Sequence, residues 1–113
     1  MRYIKEMKWT VETVSAVDAE IEALPLKLRA RLIRLMETIE NVGLENLREP
    51  HIEHIDSKLW ELRVKAKEGV ARGIYITATG RRVVILHVFE KKSRKTPRRA
   101  LATAKGRMKQ VIP

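Results

Sequence analysis

Residues 59–101 read LWELRVKAKEGVARGIYITATGRRVVILHVFEKKSRKTPRRAL, and their pattern decides the fold. Three runs within them, residues 59–64 (LWELRV), 70–77 (VARGIYIT) and 82–89 (RVVILHVF), are rich in valine, isoleucine and aromatic side chains, as strands are. A charged turn around Gly69 and a short one at Ala78, Thr79 and Gly80 separate them, which predicts an antiparallel meander. Val83, Val84, Ile85 and Leu86 are apolar without alternation, so the third strand is expected to be covered on both faces. Thr96 and Pro97 form an N-cap and first-turn pair, and Leu101, Ala104, Met108 and Val111 share one helical face. A last helix over approximately residues 97–110 follows.

Working outward towards the N-terminus, residues 43–57 contain Gly43 and Pro50 and show no sustained period, which predicts a connecting loop. Before it, Leu28, Leu32, Leu35, Met36, Ile39 and Val42 recur at spacings of three and four, the apolar stripe of an amphipathic helix that has Pro25 as its first-turn residue and ends near Gly43. Residues 16–24 are acidic and helix-prone, and residues 8–14 alternate as a half-buried strand through Trp9, Val11 and Thr13. The expected fold is α+β, with one antiparallel sheet packed by two N-terminal helices and a C-terminal helix, and the 113 residues suit one domain.

Charge narrows the function. Residues 1–57 hold 8 basic and 11 acidic side chains, a net −3, whereas residues 58–113 hold 16 and 3, a net +13, giving the overall +10. Such asymmetry attracts a polyanion, and nucleic acid is the commonest one in a cytoplasm. The other reading of the charge is solubility alone. The chain has no cysteine, no long apolar run and no apolar secretory segment at its start, so a cytoplasmic protein without disulfides or thiolate chemistry is expected.

Between Lys91 and Lys109 stand nine basic residues and no acid, including Lys91, Lys92, Arg94, Lys95, Arg98 and Arg99. The cluster suits a phosphate backbone, the alternative being a solvated face. Arg63 and Arg72 differ in lying inside apolar strand patterns, where a charge must face solvent, pair with an acid or line a site. A meander brings them near each other across the ladder, and an anionic substrate would relieve their repulsion. Separate surface arginines are the alternative. His87 alternates with Ile85 and Phe89 and reads either as a packed histidine or as a general acid/base. His51 and His54 have a spacing too common to indicate a metal site. Without GxSxG, Walker, GxGxxG or HExxH patterns, what remains is chemistry that needs none of them. RNA cleavage by its own 2′-hydroxyl is such a reaction, because the protein need only align the attack, stabilise charge and move two protons.

The LWELR strand, the R-x-x-Y spacing of Arg72 and Tyr75, the apolar ILHVF run and the KKSRKTP loop occur in this order. In this they resemble the phage-related HigB-like branch of the RelE/ParE toxin superfamily. The resemblance implies a microbial-ribonuclease-like fold and metal-independent, ribosome-dependent endoribonuclease activity on mRNA in the A site, with no cofactor. By position, Arg72 would contact the scissile phosphate with Arg63 beside it, and Lys91 and Lys92 would stabilise the transition state. Arg94, Lys95, Thr96, Arg98 and Arg99 would contact RNA, and His87 and Lys91 are the nearest candidates for proton transfer. It also implies a cognate antitoxin, a HigA-like helix-turn-helix protein, in a hetero-oligomeric complex. A ParE-like gyrase-directed toxin and a noncatalytic basic nucleic-acid-binding module remain as alternatives.

Overall fold

The computed structural model describes residues 8–91 and 95–111. The meander forms as its composition dictates, from β3 (Leu59–Ala66), β4 (Gly69–Ala78) and β5 (Arg82–Lys91), each antiparallel to the next. Gly69 and Gly80 take positive φ in the two turns, a conformation that side chains with a Cβ disfavour. The strand expected over residues 8–14 forms, but its parallel pairing and a second edge strand were not legible in the sequence, and they make the sheet mixed rather than purely antiparallel. β1 (Thr10–Thr13) pairs with β5 in parallel, and β2 (Ile52–Asp56) pairs antiparallel with β3, so the mixed sheet runs β1-β5-β4-β3-β2. The loop expected over residues 43–57 therefore holds a short 3-10 turn at Leu44–Asn46 and an edge strand. IEHID has only two strongly strand-prone side chains, and its ladder with β3 supplies what intrinsic preference lacks.

Helices cover both faces, in line with the expected α+β class. α1 (Ser15–Glu22) and α2 (Leu26–Val42) cover one face, where Val17, Ile21, Leu28, Leu32, Leu35 and Ile39 meet Leu62, Val64, Tyr75, Val83 and Ile85. Pro25 is the N-cap of α2 rather than its first turn, and Val42 is half exposed, so the apolar stripe closes at Ile39. On the other face α3 (Arg98–Met108) sets Ala100 and Ala104 against Leu59, Ile74, Ile76, Val84 and Leu86. Successive residues of β5 thus enter different cores, as the unalternating run required. Leu35 is nearly buried in the larger core, so Leu35→Ala should cost about 2–3 kcal/mol through the cavity it leaves. An unchanged urea midpoint would mean that α2 presents another face to the sheet.

Among the described residues no helix is long and apolar enough to cross a membrane.

Candidate active site

Arg63 of β3 and Arg72 of β4 are direct partners in the ladder, and Phe89 of β5 stands beside Arg72. Alternation puts Leu59, Glu61 and Arg63 on the α3 face of β3, as it puts Arg72, Ile74 and Ile76 on that face of β4. The sequence therefore places the arginine pair correctly. It does not anticipate what lies between them.

Glu61 is fully buried, and its Oε1 lies 2.6 Å from Nη1 of Arg72 and 3.6 Å from Nη2 of Arg63. Arg63 also donates to Glu53 on β2 at 2.7 Å. The hydroxyl of Thr96 donates to Glu61 Oε2 at 3.1 Å and accepts from Arg72 Nη1 at 3.3 Å. The repulsion assigned to an anionic substrate is thus relieved by two of the protein's own carboxylates, since like charges in a shielded site need a counterion whatever its source. The two arginines also part company in access. Arg72 is 2% exposed, whereas the Arg63 side chain is 27% exposed, so Arg63 is the one that presents charge at the surface. Glu61 is the residue that sequence reasoning missed. Its signal was available, as an acid within an apolar strand pattern two residues from Arg63.

Thr96 accordingly has a different task from the one expected of it. The N-cap of α3 is Pro97, without a side-chain cap bond, because the Thr96 hydroxyl is engaged by Glu61 and Arg72 and ties the start of α3 to the strands. Lys91 ends β5, two residues beyond Phe89 on the same face, opposite Val70. Lys95, Arg98 and Arg99 are exposed at or just before the start of α3, so this end of the helix is basic beside a nearly neutral buried network. Lys92 and Arg94 lie outside the described residues.

His87 belongs to a separate cluster. The ladder gives Ile74 to His87 and Tyr75 to Ile85, so Leu86 is an extra residue in β5 and the bulge takes His87 off the face of Ile85. Its Nδ1 lies 3.0 Å from Glu20 Oε2, its ring stacks on Phe89 at 5.2 Å, and Arg107 reaches the same Glu20 oxygen at 2.9 Å. Glu20 also accepts from the Val88 N–H, and Arg107 donates to the Leu86 carbonyl. These contacts stitch the bulge to α1 and α3 and fit the packed reading of His87. His54 meets the Ser57 carbonyl and the edge of Trp60, and no group of three or more His, Cys, Asp or Glu among the described residues suits a metal ion. At the far end of β2, Lys105 of α3 pairs with Asp56 at 2.7 Å and holds its carboxyl below the usual range. Burial pushes the Tyr75 hydroxyl up, on the face away from the arginines.

A family model of phage-derived Gp49-like proteins matches residues 19–109, which include α2, the meander and all of α3. The chain belongs to the Gp49-like family. Two solved structures share the Gp49-like protein's fold. A free-state arginine mutant of the Escherichia coli toxin RelE is 12% identical, with a TM-score of 0.59 over 90% of this chain and 99% of that one. The crystal structure of the toxin–antitoxin complex RelBE2 from Mycobacterium tuberculosis contributes a chain 17% identical, with a TM-score of 0.57 over 79% of this chain and 98% of that one. Family and fold agree with the RelE/HigB resemblance carried by LWELR and KKSRKTP. No curated protein gives a significant sequence match.

Proposed function

We propose that this Gp49-like protein is the toxin of a type II toxin–antitoxin pair and inhibits translation as a ribosome-dependent endoribonuclease. The observation that carries the reading is the cross-strand pair Arg63 and Arg72, held by Glu61 and Thr96 beside the basic start of α3. Such a pair is preorganised for a phosphate, because the side chains are fixed before the substrate arrives. Arg63 supplies the accessible donor, and Arg72, largely withdrawn from solvent, is a positioning residue that anchors Glu61 and through it Arg63. This reverses the order of the two arginines that position alone implied.

In the proposed reaction the 2′-hydroxyl oxygen attacks the adjacent phosphorus, the P–O5′ bond breaks, and a 2′,3′-cyclic phosphate and a free 5′-hydroxyl result. One proton leaves the attacking oxygen and one reaches the departing oxygen, so nothing is oxidised and no metal is required. Arg63, with Lys91 and Lys92, stabilises the phosphorane. Lys91 shares the arginines' face and is the preferred proton-transfer candidate, whereas His87 is engaged by Glu20 and Arg107. Arg94, Lys95, Arg98 and Arg99 follow the flanking RNA, while Thr96 holds the buried network to the start of α3. The partners are mRNA on a cytoplasmic ribosome and a HigA-like helix-turn-helix antitoxin. The deciding experiment is an mRNA cleavage assay on programmed ribosomes, with the cut ends sequenced.

A second reading, a noncatalytic basic nucleic-acid-binding module, draws on the neutralisation of Arg72 by Glu61. It predicts binding without cut ends in that assay. Under either reading, replacing exposed Arg98 and Arg99 with Gln should weaken ribosome binding and reduce its salt slope by about one to two, the loss expected of two phosphate contacts. Identical slopes in a salt series would return both side chains to the solvated face.

A further inference from the structure

Arg63 contacts two carboxylates that differ in access. Glu61 is fully buried and closed to a substrate, whereas the Glu53 side chain is 38% exposed and lies on the edge strand β2. Glu53 accepts from Arg63 through Oε1 at 2.7 Å, and among the described residues its Oε2 has no hydrogen-bond partner. Asp56, the other carboxylate placed on β2 with it, is taken by Lys105 of α3. Register sets further groups around the arginines. Arg63 and Arg72 share one rung of the ladder, Glu53 stands opposite Glu61 two residues to one side of it, and Lys91 stands opposite Val70 two residues to the other. Glu53 and Lys91 are therefore offset by about 13 Å along the strands, with the arginine rung between them.

We propose that Glu53 is the general base that takes the proton from the attacking 2′-hydroxyl, an assignment that rests on the ribonuclease reading. In-line displacement puts the attacking and departing oxygens on opposite sides of the phosphorus, so the proton acceptor and the proton donor must also stand on opposite sides. A phosphate seated on the exposed guanidinium of Arg63 has Glu53 to one side and Lys91 to the other. As the 2′-oxygen bonds to phosphorus its proton passes to Glu53 Oε2, and as the P–O5′ bond breaks the 5′-oxygen takes a proton from the Lys91 ammonium. The carboxylic acid and the amine then exchange protons with solvent, which restores both groups. Arg63 holds the carboxylate by Oε1, so the base is aimed before the RNA arrives.

The test is single-turnover cleavage on programmed ribosomes across a pH series, comparing the original chain with Glu53→Gln, Glu53→Asp and Lys91→Met. A second mRNA carries sulfur in place of the departing 5′-oxygen at the cut site, a leaving group that needs no proton. Glu53→Gln keeps an oxygen for Arg63 but cannot take a proton, so at saturating toxin its rate is expected to fall about 10²-fold and to lose its decline towards acid pH. Glu53→Asp retains a carboxylate and is expected to recover part of the rate together with that decline. On the sulfur-containing mRNA the Lys91→Met deficit should disappear while the Glu53→Gln deficit persists. An unchanged unfolding midpoint verifies that Glu53→Gln is folded, as loss of a part-exposed ion pair should leave it; Glu53→Asp on the two mRNAs serves if it is not. Cleavage by Glu53→Gln at the full rate or faster would overturn the proposal, the faster rate making Glu53 a competitor of the phosphate. A deficit erased by sulfur would also overturn it, by placing Glu53 at the departing oxygen. If the original chain cuts no mRNA, or leaves 3′-hydroxyl ends, the ribonuclease reading falls and the base with it, whereas full-rate cutting by Glu53→Gln to a 2′,3′-cyclic phosphate removes Glu53 alone.

Discussion

Arg72→Ala is expected to destabilise the protein by about 3–5 kcal/mol, because it strands the Glu61 carboxylate in a buried site without its nearest cation. Against a total stability of about 5–15 kcal/mol for a domain of this kind, the variant should lose roughly a third or more of its stability, a large fall in its unfolding midpoint. The sequence pattern alone suggests the opposite, that this arginine faces a substrate and contributes no packing. Chemical denaturation separates the two views, and a midpoint equal to that of the original chain would show that Glu61 and Arg72 do not depend on each other. The companion measurement replaces both partners, Arg72→Met with Glu61→Leu. Removing the whole pair avoids the stranded charge, so most of the stability should return. That double variant is the form in which to assay cleavage, since it tests the network's part in positioning Arg63 without the confusion of unfolding.

Arg63→Ala is expected to lower ribosome-dependent cleavage by a factor of about 10² to 10³, the loss seen when one preorganised donor to a developing charge is removed. Its effect on stability should be small by comparison, because Glu53 is 38% exposed and can be solvated, while Glu61 keeps Arg72. Arg63→Lys keeps the charge but loses the planar fork shared with Glu53 and Glu61, so partial recovery would assign a charge role and none a geometric one. A folded Arg63→Ala protein that cuts at the full rate would remove this pair from the active centre. The binding-only reading would then take precedence.

Composition and periodicity by themselves determined the order of the main elements, the burial of β5 between two cores and the pairing of Arg63 with Arg72. Each of these follows from local preference and from a two-residue side-chain period acting across a short connection. What lay beyond that reach was decided by tertiary structure. IEHID becomes β2 because β3 offers it a ladder, and one extra residue at Leu86 carries His87 off the face that simple alternation assigns it. The partners of the buried charges were equally invisible. Glu61 meets Arg72 from a neighbouring strand and Thr96 from the approach to a helix 35 residues away, so only the closed fold brings their charges within hydrogen-bonding distance. A sequence states that an ionisable group lies in an apolar pattern and must be compensated. Which group compensates it depends on distances between segments remote along the chain, and those are fixed only when the two cores have packed.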